Sequence, residues 1–397
     1  MKRVMLEVLV LAVCGIMVGP VGMAGKPEPP TPVEPTDVQL EISDTPQLLV
    51  VSDGYARLWD WDSTNKIYVH SWSGSDATKG LIGYVGSDGS KKIIGFSSET
   101  TGTRKNTVTK NYIKIWEAGD LGTSPSHKFE WTGGTSYPEI GNTDGDSDNE
   151  LVVLGSGGVE VWSITGDGIS KEASISSVGS GGLTLGDADN DGREEILVGM
   201  AANSFSHGVV VDYDTGSGSY SIVGDLGPKD VQCTIDELSV GDLDGTAGNE
   251  IFGSGYNGNN IYVWRYADGK YQQVWTTQHP GNYSFDQSNE IADIDGDGDN
   301  EIIYTQRDFS ELRKPVVTDE LAVYEYGGKD NNGKQYWTLV ERYPNCPGNQ
   351  QDAMVSGDLD GDEAAELAIS YMIWDWDGEA MVNIQNTTDT SVRISIS

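Results

Sequence analysis

The chain has 397 residues, 51 of them glycine, and a formal net charge of −37 at pH 7. Such an excess of negative charge argues against nucleic acid or an anionic membrane surface as a partner, because both would repel it. The high glycine content favours short strands joined by tight turns, and the sequence has no long stretch of helical periodicity.

The N-terminal segment has the features of an export signal. Lys2 and Arg3 precede an apolar run over residues 8–18, and Gly22 and Ala24 suit cleavage after Ala24. Residues 1–24 are therefore predicted to be a signal peptide, with retention as an N-terminal anchor as the alternative. Residues 25–36 are rich in proline, which predicts a stiff linker. We expect a secreted, extracytoplasmic protein, or one attached to the cell surface if the anchor is retained.

One acidic stretch defines the pattern of the remaining chain. Asp187, Asp189, Asp191 and Glu195 occupy positions 1, 3, 5 and 9 of a loop that is followed by an apolar, β-branched run. Oxygen ligands at alternate positions of a tight loop suit a hard cation, and Ca²⁺ in particular. An EF-hand would need a glutamate at position 12, where this chain has Val198. The sequence therefore predicts a calcium loop between two strands.

The same pattern returns at four other places, so up to five calcium sites are predicted. The candidate metal ligands are Asn142, Asp144, Asp146, Asp148, Glu150, Asp187, Asp189, Asp191, Glu195, Asp242, Asp244, Thr246, Glu250, Asp293, Asp295, Asp297, Asp299, Glu301, Asp358, Asp360, Asp362 and Glu366. Asn142 and Thr246 weaken their own loops, because neither is a carboxylate. Two upstream copies keep the flanking strands but have lost the ligands, with Lys92 and Gln47 in place of the final glutamate. These two copies are expected to bind no metal.

The final loop position recurs seven times, at intervals of about 45 to 65 residues. Each unit is predicted to contain a strand, the loop, a second strand and two further strands that carry aromatic residues. Four antiparallel strands per repeat are typical of a propeller blade. Residues 37–397 are therefore predicted to form an all-β, seven-bladed β-propeller with calcium-binding inter-strand loops on one face. With a first strand over residues 38–42, every blade is complete in sequence order, so we expect closure without a strand exchanged between the termini.

These loops and strands resemble the FG-GAP and VCBS repeat family, whose members include the seven-bladed propeller of integrin α-subunit heads. The resemblance covers residues 38–397, and the Asp-x-Asp-x-Asp-Gly-x-x-Glu loop matches strongly in five copies. It implies the propeller fold, calcium loops, an extracytoplasmic setting and a role in adhesion or binding. The Gly-Ala-Pro element after the loops and a recognisable adhesion motif are not found, so an integrin-like ligand specificity is not implied.

The tryptophans fall into two groups. The first group recurs at one place in its blades, as packing between blades requires. Its members are Trp59, Trp116, Trp162 and Trp264. Trp61 and Trp376 instead belong to irregular Trp-Asp-Trp-Asp stretches without a counterpart in most blades. They are therefore the better candidates for stacking on a sugar ring.

No catalytic constellation is visible in the sequence. The four histidines have no zinc-like spacing and no neighbouring serine nucleophile motif. Cys233 and Cys346 could form a bridge between two blades or remain buried thiols. The sequence thus predicts a monomeric adhesion or ligand-binding scaffold for an unidentified extracellular protein or carbohydrate. The alternative is an extracellular polysaccharide-active enzyme or lectin built on the same propeller.

Overall fold

The computed structural model describes residues 38–396 except 44, 53, 87, 104–105, 132–136, 156, 166–167, 200–206, 228–234, 256–259, 279–282, 309–317, 345–353, 370–371, 377–380 and 387–392, with some strand segments described by backbone alone. The predicted signal peptide and linker lie outside the described residues, as do Cys233 and Cys346. Among the residues that are described, no helix is long and apolar enough to span a membrane.

The strands form seven four-stranded antiparallel sheets. The first blade contains β1 (Leu48–Ser52), β2 (Tyr55–Asp62) and β3 (Ile67–Ser75). The second contains β4 (Lys79–Tyr84), β5 (Lys91–Thr103), β6 (Asn106–Trp116) and β7 (His127–Trp131). The third contains β8 (Tyr137–Gly141), β9 (Glu150–Gly155), β10 (Gly158–Thr165) and β11 (Gly168–Ile175). The fourth contains β12 (Leu183–Gly186), β13 (Glu195–Val198), β14 (Val209–Asp214) and β15 (Ser219–Asp225).

The remaining blades repeat this order. The fifth contains β16 (Ile235–Gly241), β17 (Glu250–Gly255), β18 (Asn260–Ala267) and β19 (Lys270–Gln278). The sixth contains β20 (Tyr283–Ala292), β21 (Glu301–Asp308), β22 (Thr318–Lys329) and β23 (Gln335–Pro344). The seventh contains β24 (Met354–Gly357), β25 (Glu366–Ile369), β26 (Met372–Trp376) and β27 (Met381–Asn386), and β28 (Arg393–Ile396) follows it. The inner strands contact their neighbours in the closed order β28, β4, β8, β12, β16, β20 and β24. This ring confirms the predicted seven-bladed propeller.

The closure of the ring differs from the prediction. β28 pairs with β1, with Ile396 opposite Leu48 and Ile394 opposite Val50. The C-terminal strand is therefore the inner strand of the first blade, and the prediction that closure needs no exchange between termini is wrong. Residues 38–42 instead lie against a turn of the second blade, where Leu40 N donates to Asp120 O at 2.8 Å. Both segments alternate polar and apolar residues, so their local pattern does not decide which one pairs with β1.

The core lies between blades. Trp72 of the first blade meets Trp116 of the second edge to face, with ring centroids 5.7 Å apart. Trp131 and Trp162 join the second and third blades with their rings tilted by 45° and their centroids 4.3 Å apart. The recurring tryptophans predicted to pack between blades are all buried: Trp59, Trp116, Trp162 and Trp264. Because each blade buries its faces against its neighbours, the fold holds the inter-strand loops in a fixed circle on one side of the ring.

Candidate metal centres

All five acidic loops join the first and second strands of their blades, as predicted, and share one internal hydrogen bond. The final glutamate begins the second strand, is buried, and accepts the backbone N–H of the second loop residue through Oε2. The pairs are Glu150 with Thr143 at 2.8 Å, Glu195 with Ala188 at 2.7 Å, Glu250 with Leu243 at 2.9 Å, Glu301 with Ile294 at 3.0 Å and Glu366 with Leu359 at 2.6 Å. This bond fixes one carboxylate oxygen and leaves Oε1 available to the loop interior.

The turn of each loop depends on its fourth position. There the backbone has a positive φ in all five loops, at Gly145, Asn190, Gly245, Gly296 and Gly361. Glycine adopts this left-handed conformation without strain, and asparagine tolerates it better than most residues do. The turn lets the first side chain accept backbone N–H groups, as when Asp293 Oδ1 accepts from Gly296 at 2.8 Å and Oδ2 from Gly298 at 2.9 Å.

The loops bring their acidic groups together. In every loop, three or four carboxylate oxygens lie within 4.8 Å of one another. The sets are Asp144, Glu150 and Glu172; Asp187, Asp189, Asp191 and Glu195; Asp242, Asp244 and Glu250; Asp293, Asp295 and Asp297; and Asp358, Asp360 and Glu366. The other predicted ligands lie in the same loops but outside these sets: Asn142, Asp146, Asp148, Thr246, Asp299, Glu301 and Asp362. Glu172 comes from β11 and was missed, because it lies beyond the loop in sequence.

Two loops contain buried carboxylate oxygens without a hydrogen-bond partner. Oε1 of Glu195 and Oε1 of Glu366 are buried and unpartnered, and both residues are 0% exposed. Burial, reinforced by Asp189, raises the pKa of Glu195 to about 8. Burial and Asp360 likewise raise the pKa of Glu366 to about 8. A buried charged oxygen needs a compensating partner, and an all-oxygen donor set fits a hard cation such as Ca²⁺.

The fifth-blade loop already contains a cation. The Arg265 guanidinium donates from Nε to Glu250 Oε1 at 2.5 Å and from Nη2 to Asp244 Oδ2 at 2.5 Å. Gln335 of the sixth blade also donates to Asp244. Burial acts against ionisation of Asp244, but the bonds from Thr246 and Arg265 hold its pKa below the usual value. A side-chain cation therefore contacts the final glutamate of this loop, whereas in the fourth blade Arg193 contacts Asp191 and Asp212 and leaves Glu195 Oε1 without a partner.

The second-blade loop contains a cation too. Lys92 is buried, and its Nζ lies 2.6 Å from both carboxylate oxygens of Asp88 and 2.9 Å from Ser90 Oγ. Burial opposes ionisation of Asp88, but the bonds from Lys92 and Ser90 hold its pKa below the usual value. In the part of the chain that the structure describes, no cluster of metal-ligating groups forms at this loop.

In several blades a charged residue directly follows the recurring aromatic or apolar residue of the third strand and lies near the loop of its own blade. Glu117 Oε1 lies 3.9 Å from Lys92 Nζ, and Arg265 Nη2 pairs with Asp244 in the loop that begins at Asp242. In the fourth and seventh blades the position is acidic, where Asp212 raises the pKa of Asp189 and Asp375 raises that of Glu366, each after the larger effect of burial. The charge at this position is the sequence signal for Arg265 that was missed.

The loops interlock around the ring. The residue before the final loop position donates a hydrogen bond to the start of the preceding blade's loop, and we call this series of bonds the loop belt. Its members are Lys91 Nζ to Ser43 O at 2.9 Å, Asn149 Nδ2 to Tyr84 O at 2.9 Å, Glu194 N to Asn142 O at 3.1 Å, Asn249 Nδ2 to Asp187 O at 2.8 Å, Asn300 Nδ2 to Asp242 O at 2.9 Å and Ala365 N to Asp293 O at 2.8 Å. The order of one loop is thereby coupled to the order of the loop in the neighbouring blade.

An aromatic pair recurs at the hairpin between the third and fourth strands. The pairs are Trp61 with Tyr68, Tyr213 with Tyr220, Tyr266 with Tyr271 and Tyr326 with Trp337, with ring centroids 4.8 to 5.2 Å apart. The hairpin lies beside the preceding blade's loop, since the Tyr220 hydroxyl is 2.8 Å from Thr143 Oγ1. Trp376 occupies the same place in the seventh blade. The prediction that Trp61 and Trp376 lack counterparts in most blades is therefore wrong.

Comparison with known proteins agrees with the repeat and the fold. Residues 142–198, which contain the loops of the third and fourth blades, match the family model for FG-GAP-like repeats. A search of curated protein sequences found no match. A Lactobacillus plantarum protein is similar in structure, with 13% identity and a TM-score of 0.53 over 88% of this chain and 99% of that chain.

Two other similar structures are of proteins named for an activity or a ligand. A candidate 6-phosphogluconolactonase from Bacteroides uniformis has 11% identity and a TM-score of 0.56, over 89% of this chain and 100% of that chain. An Agrocybe aegerita lectin specific for non-reducing terminal N-acetylglucosamine has 12% identity and a TM-score of 0.50, over 91% of this chain and 97% of that chain. At such low identities the similarity shows the propeller fold alone.

Proposed function

Since this chain is a propeller protein with FG-GAP-like repeats, we propose that its acidic loops bind calcium and that it serves outside the cytoplasm as an adhesion or ligand-binding scaffold. The single observation that carries the calcium proposal is the pair of buried, unpartnered oxygens on Glu195 and Glu366. Each belongs to a set of carboxylates within 4.8 Å of one another. A bound Ca²⁺ would supply the positive charge that these oxygens lack.

The proposal assigns calcium to four loops, those of the third, fourth, sixth and seventh blades. Their residues bind through carboxylates that backbone N–H groups already orient. Arg193 contacts Asp191 in the fourth-blade loop but leaves Glu195 Oε1 without a partner. In the fifth-blade loop, Arg265 occupies the carboxylates that a metal would need. We therefore infer that this fifth predicted site binds calcium only weakly.

Calcium would act on the whole ring through the loop belt. Without metal, like charges lie close together in each of the four loops, which destabilises the folded state relative to the unfolded chain. A bound ion removes this repulsion and rigidifies the loop, whose hydrogen bonds reach the neighbouring blade. Extracellular calcium modules bind with Kd on the order of 10⁻⁴ to 10⁻³ M. A calcium-rich extracytoplasmic setting, which the export signal also predicts, suits loops of this kind.

The proposed scaffold role rests on the expected extracytoplasmic setting and on the resemblance of the repeats to the FG-GAP and VCBS family. The expected ligand is an extracellular protein or carbohydrate, bound by a monomer. A lectin and a candidate lactonase are both similar in fold, but at their identities neither activity transfers to this chain. An extracellular polysaccharide-active enzyme thus stays the alternative, and release of unsaturated sugars from a polysaccharide would favour it over the scaffold.

Calorimetry of the full folded protein tests the calcium proposal. Scans in millimolar Ca²⁺, in Mg²⁺ and in chelator should give a higher Tm with Ca²⁺ and little effect of Mg²⁺, because Mg²⁺ demands strict octahedral geometry. Titration should find about four ions per chain. Asp187→Ala and Asp293→Ala should each remove one bound ion and part of the calcium-dependent increase in Tm. An unchanged Tm on adding calcium would mean that the loops are only acidic turns.

A further inference from the structure

Among the described residues, the loop belt has no hydrogen bond at the junction between the seventh and first blades, which we call the seam. At the other six junctions, the residue before the final loop position donates to the preceding loop. In the first blade that residue is Pro46, which precedes Gln47. Proline has no backbone N–H and no side-chain donor. The loop position that bridges the other six junctions therefore has no hydrogen-bond donor to offer toward Asp358, the start of the seventh-blade loop.

A cleft of about 670 Å³ opens at the seam. On the first blade it is lined by Trp61, Asp60, Pro46 and Gln47, and on the seventh blade by the start of the acidic loop from Asp358. A cavity of this size is within the range of small-molecule sites. The seam thus combines an aromatic surface on one wall with a candidate cation loop on the other.

The first-blade wall is held in place. Trp61 is half-buried, and its ring packs on Tyr68 with centroids 4.8 Å apart. Gln47 is 2% exposed, accepts Ser43 N at 3.0 Å, and donates from Nε2 to Asp60 Oδ1 at 2.6 Å. The aromatic ring and the carboxylate are therefore fixed before any ligand arrives, which reduces the entropy lost on binding.

The seventh-blade wall leads to a partly satisfied cation loop. Asp358, Asp360 and Glu366 have carboxylate oxygens within 4.8 Å of one another, and Asp360 Oδ1 and Glu366 Oε1 are buried without a partner. Calcium takes six to eight oxygen ligands, more than three side chains supply unless each is bidentate. Ligand hydroxyls arriving through the cleft could complete the shell.

We propose that the seam cleft binds a saccharide, with one pyranose ring packed on Trp61 and its hydroxyls shared between Asp60 and the calcium ion of the seventh-blade loop. The proposal rests on calcium binding as proposed above. A pyranose offers an apolar C–H face for the indole and neighbouring hydroxyls for carboxylates and Ca²⁺. An ammonium group is less well matched, because the bound ion offsets the negative charge of the loop.

The test probes a glycan array of mono- and oligosaccharides with the full protein in saturating Ca²⁺, followed by titration of the strongest hit. Trp61→Ala and Asp60→Asn should each weaken binding at least tenfold, while the calcium stoichiometry and the calcium-dependent Tm increase stay unchanged. Pro46→Asn should also weaken binding, because asparagine closes three of the other junctions and would narrow the seam. The matched control is Trp376→Ala, which removes the ring from the same hairpin position beside a bridged junction and should leave binding intact.

The outcomes separate the two proposals. If titration shows calcium bound but no glycan binds, or if the hit binds Trp61→Ala as tightly as the unmodified protein, the saccharide site is wrong and the calcium proposal stands. Binding of polylysine in place of any glycan, lost in Trp61→Ala, would also overturn it in favour of a basic peptide. If no calcium binds, the calcium proposal itself fails. If a glycan still binds in chelator, the proposed sharing of its hydroxyls with the calcium ion is wrong.

Discussion

The fourth and fifth blades have the same loop backbone but differ in how its charge is balanced. In the fourth blade, Glu195 Oε1 is buried without a partner. In the fifth, the corresponding oxygen of Glu250 accepts a hydrogen bond from Arg265 at 2.5 Å. The position of Arg265 on the third strand holds Asp212 in the fourth blade. The residue at this third-strand position thus distinguishes a loop whose final glutamate has an unpartnered oxygen from one whose final glutamate pairs with arginine, and we expect the second kind to bind calcium more weakly.

The largest expected effect is the pH dependence of stability in the four loops whose final glutamate has no side-chain cation as a partner. Burial raises the pKa of Glu150 to about 7 and those of Glu195, Glu301 and Glu366 to about 8. The unfolded chain loses these protons near pH 4.5. Stability in chelator should therefore fall as pH rises from about 4.5 to about 8, by at most about 1.4 kcal/mol per pH unit for each glutamate.

Urea unfolding at several pH values, with chelator and with saturating calcium, checks this prediction. Calcium favours the ionised carboxylates, so the decline should largely disappear in its presence. Glu195→Gln should flatten the chelator curve without changing its direction. Parallel curves with and without calcium would show that the ion does not bind these glutamates.

The next largest effect concerns the built-in cation of the fifth blade. Arg265→Met leaves Glu250 and Asp244 buried without their partner, which should cost about 3 to 5 kcal/mol in chelator. Calcium should restore much of this loss, because the variant loop resembles that of the fourth blade, and titration should find one more bound ion. Lys110→Met is the control, since its pair with Glu130 is exposed and such pairs contribute at most about 1 kcal/mol. A loss that calcium does not restore would mean that the two loops differ in more than their charge balance.

The difference between these blades shows where sequence reasoning succeeds. The loop ligands and the repeat length are local patterns, so the five loops and the seven blades could be predicted. Arg265 and Glu172 lie on other strands, and their contacts with the loops depend on strand pairing. The closing strand was misplaced for a similar reason, since residues 38–42 and 393–396 have the same alternation and only the three-dimensional ring selects between them.

Substitutions at the first loop position provide a smaller, direct comparison. Asp187→Asn should remove about one bound ion and about 2.7 kcal/mol of stabilisation at a calcium concentration of about 100 Kd. Asp242→Asn should leave both the number of ions and the calcium-dependent stabilisation unchanged, because Arg265 already occupies that loop. Isothermal titration and unfolding with and without calcium measure both quantities. Equal losses in the two variants would contradict the assignment of Arg265 as the cation of its loop.

The smallest effect is expected for the second blade. Lys92→Met removes a buried ammonium group, but its partner Asp88 has a side chain that is 54% exposed. The remaining carboxylate can therefore be hydrated, and the cost should be about 1 to 3 kcal/mol, mostly from lost hydrogen bonds. Calcium should not restore this stability, because Tyr84 and Gly86 stand at the first and third loop positions and leave Asp88 as the one acidic residue within the loop, with Glu117 outside it. Urea unfolding of Lys92→Met beside Arg265→Met compares the two built-in cations. If calcium restored the stability of Lys92→Met, one loop carboxylate and the backbone would suffice for a calcium site. The acidic side chains of the other loops would then not be what selects the metal.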